Sequence, residues 1–176
     1  MKHIEPPLQH IFDLSDLSQA GAEVVVEASP EDLPKLAKWA GIDSVKRFTA
    51  TVGLRRLSQT RFNYEANLTA DVVQSCVVTL EPVESRISRE IARELQQAPR
   101  LPQETVAELT LAAGDDDVPE TILSLDYDLA APLLEEFVLA IDPYPRKPGV
   151  AFTPPVEPET PQSSPFAVLK ALKDRD

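Results

Sequence analysis

Arg61-Phe62-Asn63-Tyr64-Glu65-Ala66-Asn67-Leu68-Thr69-Ala70-Asp71 alternates apolar or small residues with polar ones at a period of two. That period belongs to a strand with one buried and one wet face, because successive side chains on an extended backbone point to opposite sides. Downstream, Val72 to Leu80 is rich in Val and Thr; upstream, Val45, Phe48 and Val52 alternate more loosely with polar residues. Residues from Ser44 to about Arg93 therefore read as antiparallel strands wetted on one face. Val83-Ser85-Ile87-Arg89-Ile91 fits a strand, but Val83, Ile87, Ile91 and Leu95 also fit a helix, so periodicity leaves both readings open there. A further strand is expected at Glu104 to Leu111.

Helical signals flank this region. Ala22 to Glu27 is β-branched and ends at Ala28-Ser29-Pro30, which predicts a short strand feeding a helix with Ser29 as N-cap and Pro30 at its first position. That helix runs to about Ala40 and stops at Gly41, with Leu33, Leu36, Ala37 and Ala40 as its apolar stripe. A second helix is expected from about Ala130 to Ile141, where Leu133, Leu134, Phe137, Val138 and Ile141 share a face and Pro132 falls in the first turn. The fold class is α+β: an antiparallel sheet or partly closed barrel with two or three helices and a proline-rich C-terminal tail.

The chain has 176 residues, enough for one globular unit with a sizeable core. The boundary is set by proline. Of 17 prolines, a dense cluster runs from Pro143 to Pro165, and such a run holds the backbone extended and outside regular structure. Residues 1–142 therefore read as the globular domain and 143–176 as an extension. Within the extension, Phe166, Leu169 and Leu172 have helical spacing after Pro165, the pattern of a short amphipathic helix on a tether.

Composition and motifs exclude several chemistries. The 29 acidic against 17 basic residues give a net charge of −12, which opposes a broad phosphate-binding surface. The N-terminus lacks the apolar stretch of a secretory signal, and no segment approaches the ~20 apolar residues of a membrane span, so the expected location is the cytoplasm. With 5 glycines there is neither GxGxxG nor GxxxxGK[ST], so a phosphate cradle is missing. His3 and His10 lie at one end, which removes the general base of a Ser-His-Asp triad; one cysteine and two histidines do not suggest a metal site. Glu81, Glu135 and Glu136 read as solvated carboxylates, and Gly114-Asp115-Asp116-Asp117 as a solvated loop without calcium-loop spacing. Cys76 falls in a strand-like run with no neighbouring cation or helix start to activate it, and is expected to be a buried, inert thiol.

Two binding features remain. Arg55, Arg56 and Arg61, with Lys46-Arg47 nearby and Phe62 and Tyr64 between, form a candidate RNA-facing patch of cations and aromatics. Tyr144-Pro145-Arg146-Lys147-Pro148 places an aromatic and two cations on a proline-stiffened segment, a preorganised recognition strip whose side chains should contribute little to folding.

Three stretches resemble, in order, the YceD family, the large ribosomal RNA subunit accumulation proteins. They are Gln74-Ser75-Cys76-Val77-Val78-Thr79-Leu80-Glu81-Pro82-Val83, then Ile141-Asp142-Pro143-Tyr144-Pro145-Arg146-Lys147-Pro148-Gly149, then Pro165-Phe166-Ala167-Val168-Leu169 with Leu172-Lys173. Many relatives carry C-x-x-C before Leu-Glu-Pro; here Thr79 occupies the second cysteine position, as in the alphaproteobacterial branch, which argues further against a metal or redox role. The resemblance implies a part in 23S ribosomal RNA accumulation or processing and brings no catalytic residues with it. The expectation is a non-enzymatic ribosome biogenesis factor without cofactor or metal. Its partner would be a ribosomal protein or large-subunit assembly factor, held through Tyr144, Arg146, Lys147, Phe166, Leu169 and Leu172. The alternatives are an RNA-processing enzyme, or direct binding of 23S rRNA precursor through Arg55, Arg56 and Arg61.

Overall fold

The alternating run becomes the middle strand of an open five-stranded sheet. A computed structural model of the chain describes residues 6–98 and 119–151. In chain order the elements are β1 (Ile11–Asp13), a 3-10 turn (Leu14–Asp16), β2 (Ala22–Glu27), α1 (Leu33–Ala40), β3 (Ser44–Arg56), β4 (Arg61–Ser75), β5 (Pro82–Gln97), β6 (Glu120–Ile122), β7 (Asp126–Asp128) and α2 (Ala130–Ala140). The large sheet has the order β2-β3-β4-β5-β6, and β1 pairs with β7 in a separate ribbon.

Register decides which side chains are buried. Pairs such as Phe48↔Ala70, Ala50↔Leu68, Val52↔Ala66 and Leu54↔Tyr64 put the even residues of β3 and β4 on one face, and Ala66↔Ile91 and Phe62↔Leu95 continue it onto β5. On this face Phe48, Val52, Phe62, Tyr64, Leu68 and Leu95 are buried, and α1 and α2 cover them. A bulge between Val45 and Arg47 lets both Val45 and Phe48 point inward, which explains the loose alternation of that stretch. Phe48 meets Phe137 of α2 edge to face at 5.4 Å between ring centroids, and Tyr64 meets Tyr127 at 6.2 Å. The buried Tyr64 hydroxyl donates to the Leu129 carbonyl at 2.9 Å, and Asp128 Oδ1 accepts from Ala130 N–H at 3.0 Å, fixing the start of α2.

Two expectations need correction, and one open reading is decided. The sheet is not closed into a barrel: β2 and β6 are its two edges and do not pair, and β6 runs parallel to β5, making the sheet mixed. Closure is unnecessary for burial, because the helices form the second layer. The segment that fitted both strand and helix is β5, paired with β4 along its whole length up to Gln96. The first helix starts at Leu33 rather than Pro30. Ser29 Oγ donates to the Asp32 carboxylate at 2.6 Å instead of accepting a backbone amide, so Ser29–Asp32 forms a turn before the helix; Gly41 does end it, at φ 70°. The strand expected at Glu104–Leu111, the loop at Gly114–Asp117 and the helix carrying Phe166, Leu169 and Leu172 lie outside the described residues.

Candidate functional site

The chain turns sharply between β4 and β5, and the proline-rich strip comes back to that turn. β4 ends at Ser75, so Cys76 is not in a strand; Leu80 N–H donates to Cys76 O at 2.9 Å and Cys76 N–H to Glu81 O at 2.8 Å, closing the turn. Leu80 adopts φ 60°, the left-handed region that costs an L-residue roughly 1–2 kcal/mol. Pro82 is admitted as the first residue of β5 because ladder bonds are missed there least.

After α2 the strip runs without regular structure but is hydrogen-bonded to this turn. Gln74 Nε2 donates to Asp142 O at 2.8 Å, Val77 N–H to Pro145 O at 2.9 Å, and Lys147 N–H to Cys76 Sγ at 3.4 Å. Lys147 Nζ lies 2.9 Å from Glu81 Oε2, an exposed pair of small energetic weight. The Asp142 carboxylate accepts Tyr144 N–H at 2.8 Å and bends the chain into place. The strip is therefore a clasp on the core rather than a loose tether, and it is chiefly the strip's backbone, not its side chains, that makes the attachment. Its backbone is held while its side chains remain outside: Tyr144 is 71% exposed, Leu80 78%, Val77 47%, and Arg146 is also exposed.

The thiol differs from expectation as well. Cys76 is buried, but hydrogen-bond donors surround its sulfur. The Thr79 hydroxyl, then the backbone N–H groups of Lys147, Thr79 and Val78, hydrogen-bond to the sulfur and hold its pKa down at about 6, against the opposing effect of burial. Sequence reasoning looked for a cation beside Cys76 in its own strand; the donors come from the turn that replaces the strand and from a residue far along the chain. Glu81 is also held below the usual carboxylate range, by Lys147.

The three arginines are not gathered into one patch. Arg55 points to the open face. Arg56 points the other way: its Nη2 donates to Leu14 O at 2.9 Å and Ser15 O at 3.0 Å, and its guanidinium lies 5.5 Å from the Phe62 ring centroid. Arg61 forms an ion pair with Glu94. Phe62 and Tyr64 are buried and so cannot stack on a base, which removes the aromatic half of the expected patch. Phe166, Leu169 and Leu172 lie outside the described residues.

Val77 and Leu80 escaped the sequence reading. The signal was available in Leu80-Glu81-Pro82, where a proline that cannot sit inside a central strand marks a restart, but the preceding valines suggested one continuous strand.

Among the described residues, no helix is long and apolar enough to cross a membrane. No curated protein and no solved structure matches the chain. The family model described as large ribosomal RNA subunit accumulation protein YceD matches residues 64–173, a span that contains both halves of the clasp, and the chain thus belongs to the YceD family.

Proposed function

We propose that this protein is a non-enzymatic ribosome biogenesis factor that supports 23S rRNA accumulation or processing during large-subunit assembly in the cytoplasm. It does so by holding a ribosomal protein or another assembly factor. The observation that carries the reading is the family match, which spans the Cys76 turn and the Asp142–Lys147 strip together. The geometry of the clasp supports binding rather than bond-making. Backbone hydrogen bonds fix the strip, so little conformational entropy is lost when a partner meets it, and Tyr144, Leu80 and Val77 offer apolar contact beside the Arg146 charge. Rigid backbone with exposed aromatic and cationic side chains is the arrangement in which a few residues dominate affinity.

Two measurements test the proposal. A deletion strain should show a lowered large-subunit peak and a lowered 23S to 16S rRNA ratio; an unchanged subunit profile would overturn it. A pull-down with and without ribonuclease should retain protein partners after treatment. Loss of all partners with ribonuclease would favour direct RNA binding.

A further inference from the structure

β2 is an edge of the five-stranded sheet, and among the described residues its outer side pairs with nothing. Two hydrogen bonds determine which backbone groups face outward. Ala28 N–H donates to Phe48 O at 3.1 Å, one step beyond the Glu27↔Thr49 pair. In an antiparallel ladder bonded pairs alternate with unbonded ones, so Ala22, Val24 and Val26 bond to β3, while Glu23, Val25 and Glu27 turn N–H and C=O away from it. On the far side of β3, Leu57 N–H donates to Arg61 O at 2.9 Å, which directs the odd residues of β3 toward β4 and gives the same parity. The side chains of Glu23, Val25 and Glu27 are also exposed, all on the open face of the sheet, with Val25 at 61%.

Edge strands of soluble proteins are commonly blunted by a proline, a lysine or a bulge, and β2 has none of these. It has two glutamates spaced four apart around a valine, and that pattern discriminates between occupants. Antiparallel pairing of two copies about Val25 would set Glu23 of each opposite Glu27 of the other, and like charges directly opposite oppose pairing. A strand with cations at those two positions meets opposite charge at both. We propose that the β2 edge receives an extended basic protein segment by strand addition, with Lys or Arg opposite Glu23 and Glu27 and a β-branched or aliphatic residue opposite Val25. For the source of that segment the proposal rests on the reading above, since a large-subunit assembly factor works among proteins that carry Lys and Arg to bind RNA phosphates. The edge itself lies outside residues 64–173, apart from the clasp.

The variant Glu27→Lys makes a second copy the probe, because self-pairing then places a cation opposite Glu23 at both ends. In sedimentation equilibrium on the full chain, Glu27→Lys should associate about tenfold or more tightly than the wild type, less so at high salt. Adding Val25→Pro should abolish the association, since proline removes an outward N–H and spares the bonds to β3. Hydrogen exchange reads the same edge in the wild type. The Glu23, Val25 and Glu27 amides should exchange quickly in the free chain and slow when a synthetic peptide alternating Lys and Thr around a central Val is added. The proposal is overturned if the three amides are already protected, if Glu27→Lys stays as monomeric as the wild type, if the wild type pairs as tightly as the variant, or if a peptide with Glu in place of Lys protects equally. A normal subunit profile in the deletion strain would overturn the assembly reading and leave these results standing.

Discussion

The backbone N–H of Lys147 donates to Cys76 Sγ at 3.4 Å, across 71 positions of sequence. With the Gln74–Asp142 and Val77–Pro145 bonds it ties the segment after α2 to the end of β4. A chain ended after Ile141 loses all three partners and leaves the Gln74 amide, which is buried, without its acceptor. It should lose about 1–3 kcal/mol in urea unfolding relative to a chain ended after Ala151, which keeps them. Equal midpoints for the two truncations would show that the clasp is energetically idle.

The Cys76 thiol makes stability depend on pH. Its folded pKa of about 6 lies below its ordinary 9.0, so the folded state prefers the thiolate. For an acid depressed in the folded state, the contribution is full above the unfolded value and is lost as pH falls through the folded one. The urea midpoint of the wild type should therefore rise between about pH 6 and pH 9 relative to that of Cys76→Ala, in which this contribution is absent. Parallel pH profiles for the two proteins would contradict the assigned environment of the sulfur.

Tyr64→Phe removes one buried hydroxyl that donates to Leu129 O and leaves the ring in place. A loss of about 1 kcal/mol is expected by denaturant unfolding. Burial also pushes the Tyr64 phenol above its usual pKa, so its ionisation, followed by absorbance in alkali, should come later in the folded protein than in the chain unfolded by urea. A folded protein whose tyrosines all ionise as they do in the unfolded chain would mean that Tyr64 is not shielded.

Leu80→Gly separates strain from recognition. Glycine accepts φ 60° without penalty, which recovers roughly 1 kcal/mol, partly offset by its greater freedom in the unfolded chain. The melting temperature should be unchanged or higher while pull-down of the partner weakens. Undiminished capture by a well-folded variant would remove Leu80 from the binding surface.

The sheet was legible in the residues because its signal is local. Arg61–Asp71 states its own period, and a strand with one wet face follows from side-chain alternation alone. The two helices were legible for the same reason, through Gly41 and the apolar face of Leu133, Leu134 and Phe137. β1, β6 and β7 were not: three residues carry no periodicity, and these strands exist through pairings such as Phe12↔Tyr127, which no local pattern announces. Of the candidate site, Tyr144, Arg146 and Lys147 were visible as an anomaly of composition. Their attachment to Cys76 was not, because on the strip's side the bonds run through backbone groups, which every residue but proline has in full and no sequence pattern marks. The arginines misled because sequence neighbours alternate sides of a strand, and Arg55 and Arg56 ended on opposite faces of the sheet.

The span between Cys76 and Lys147 also orders events in time. A chain is made from its N-terminal end, so Gln74–Leu80 exists well before Asp142–Lys147, and until α2 has docked and the strip has crossed back, the sulfur lacks its Lys147 donor and Val77 N–H lacks its acceptor. A surface built from both halves is displayed only once the chain has folded through Lys147. A partner that gripped Val77, Leu80 and Tyr144 together would thereby select chains folded through the clasp over shorter or misfolded ones, a checkpoint written into the distance between two residues.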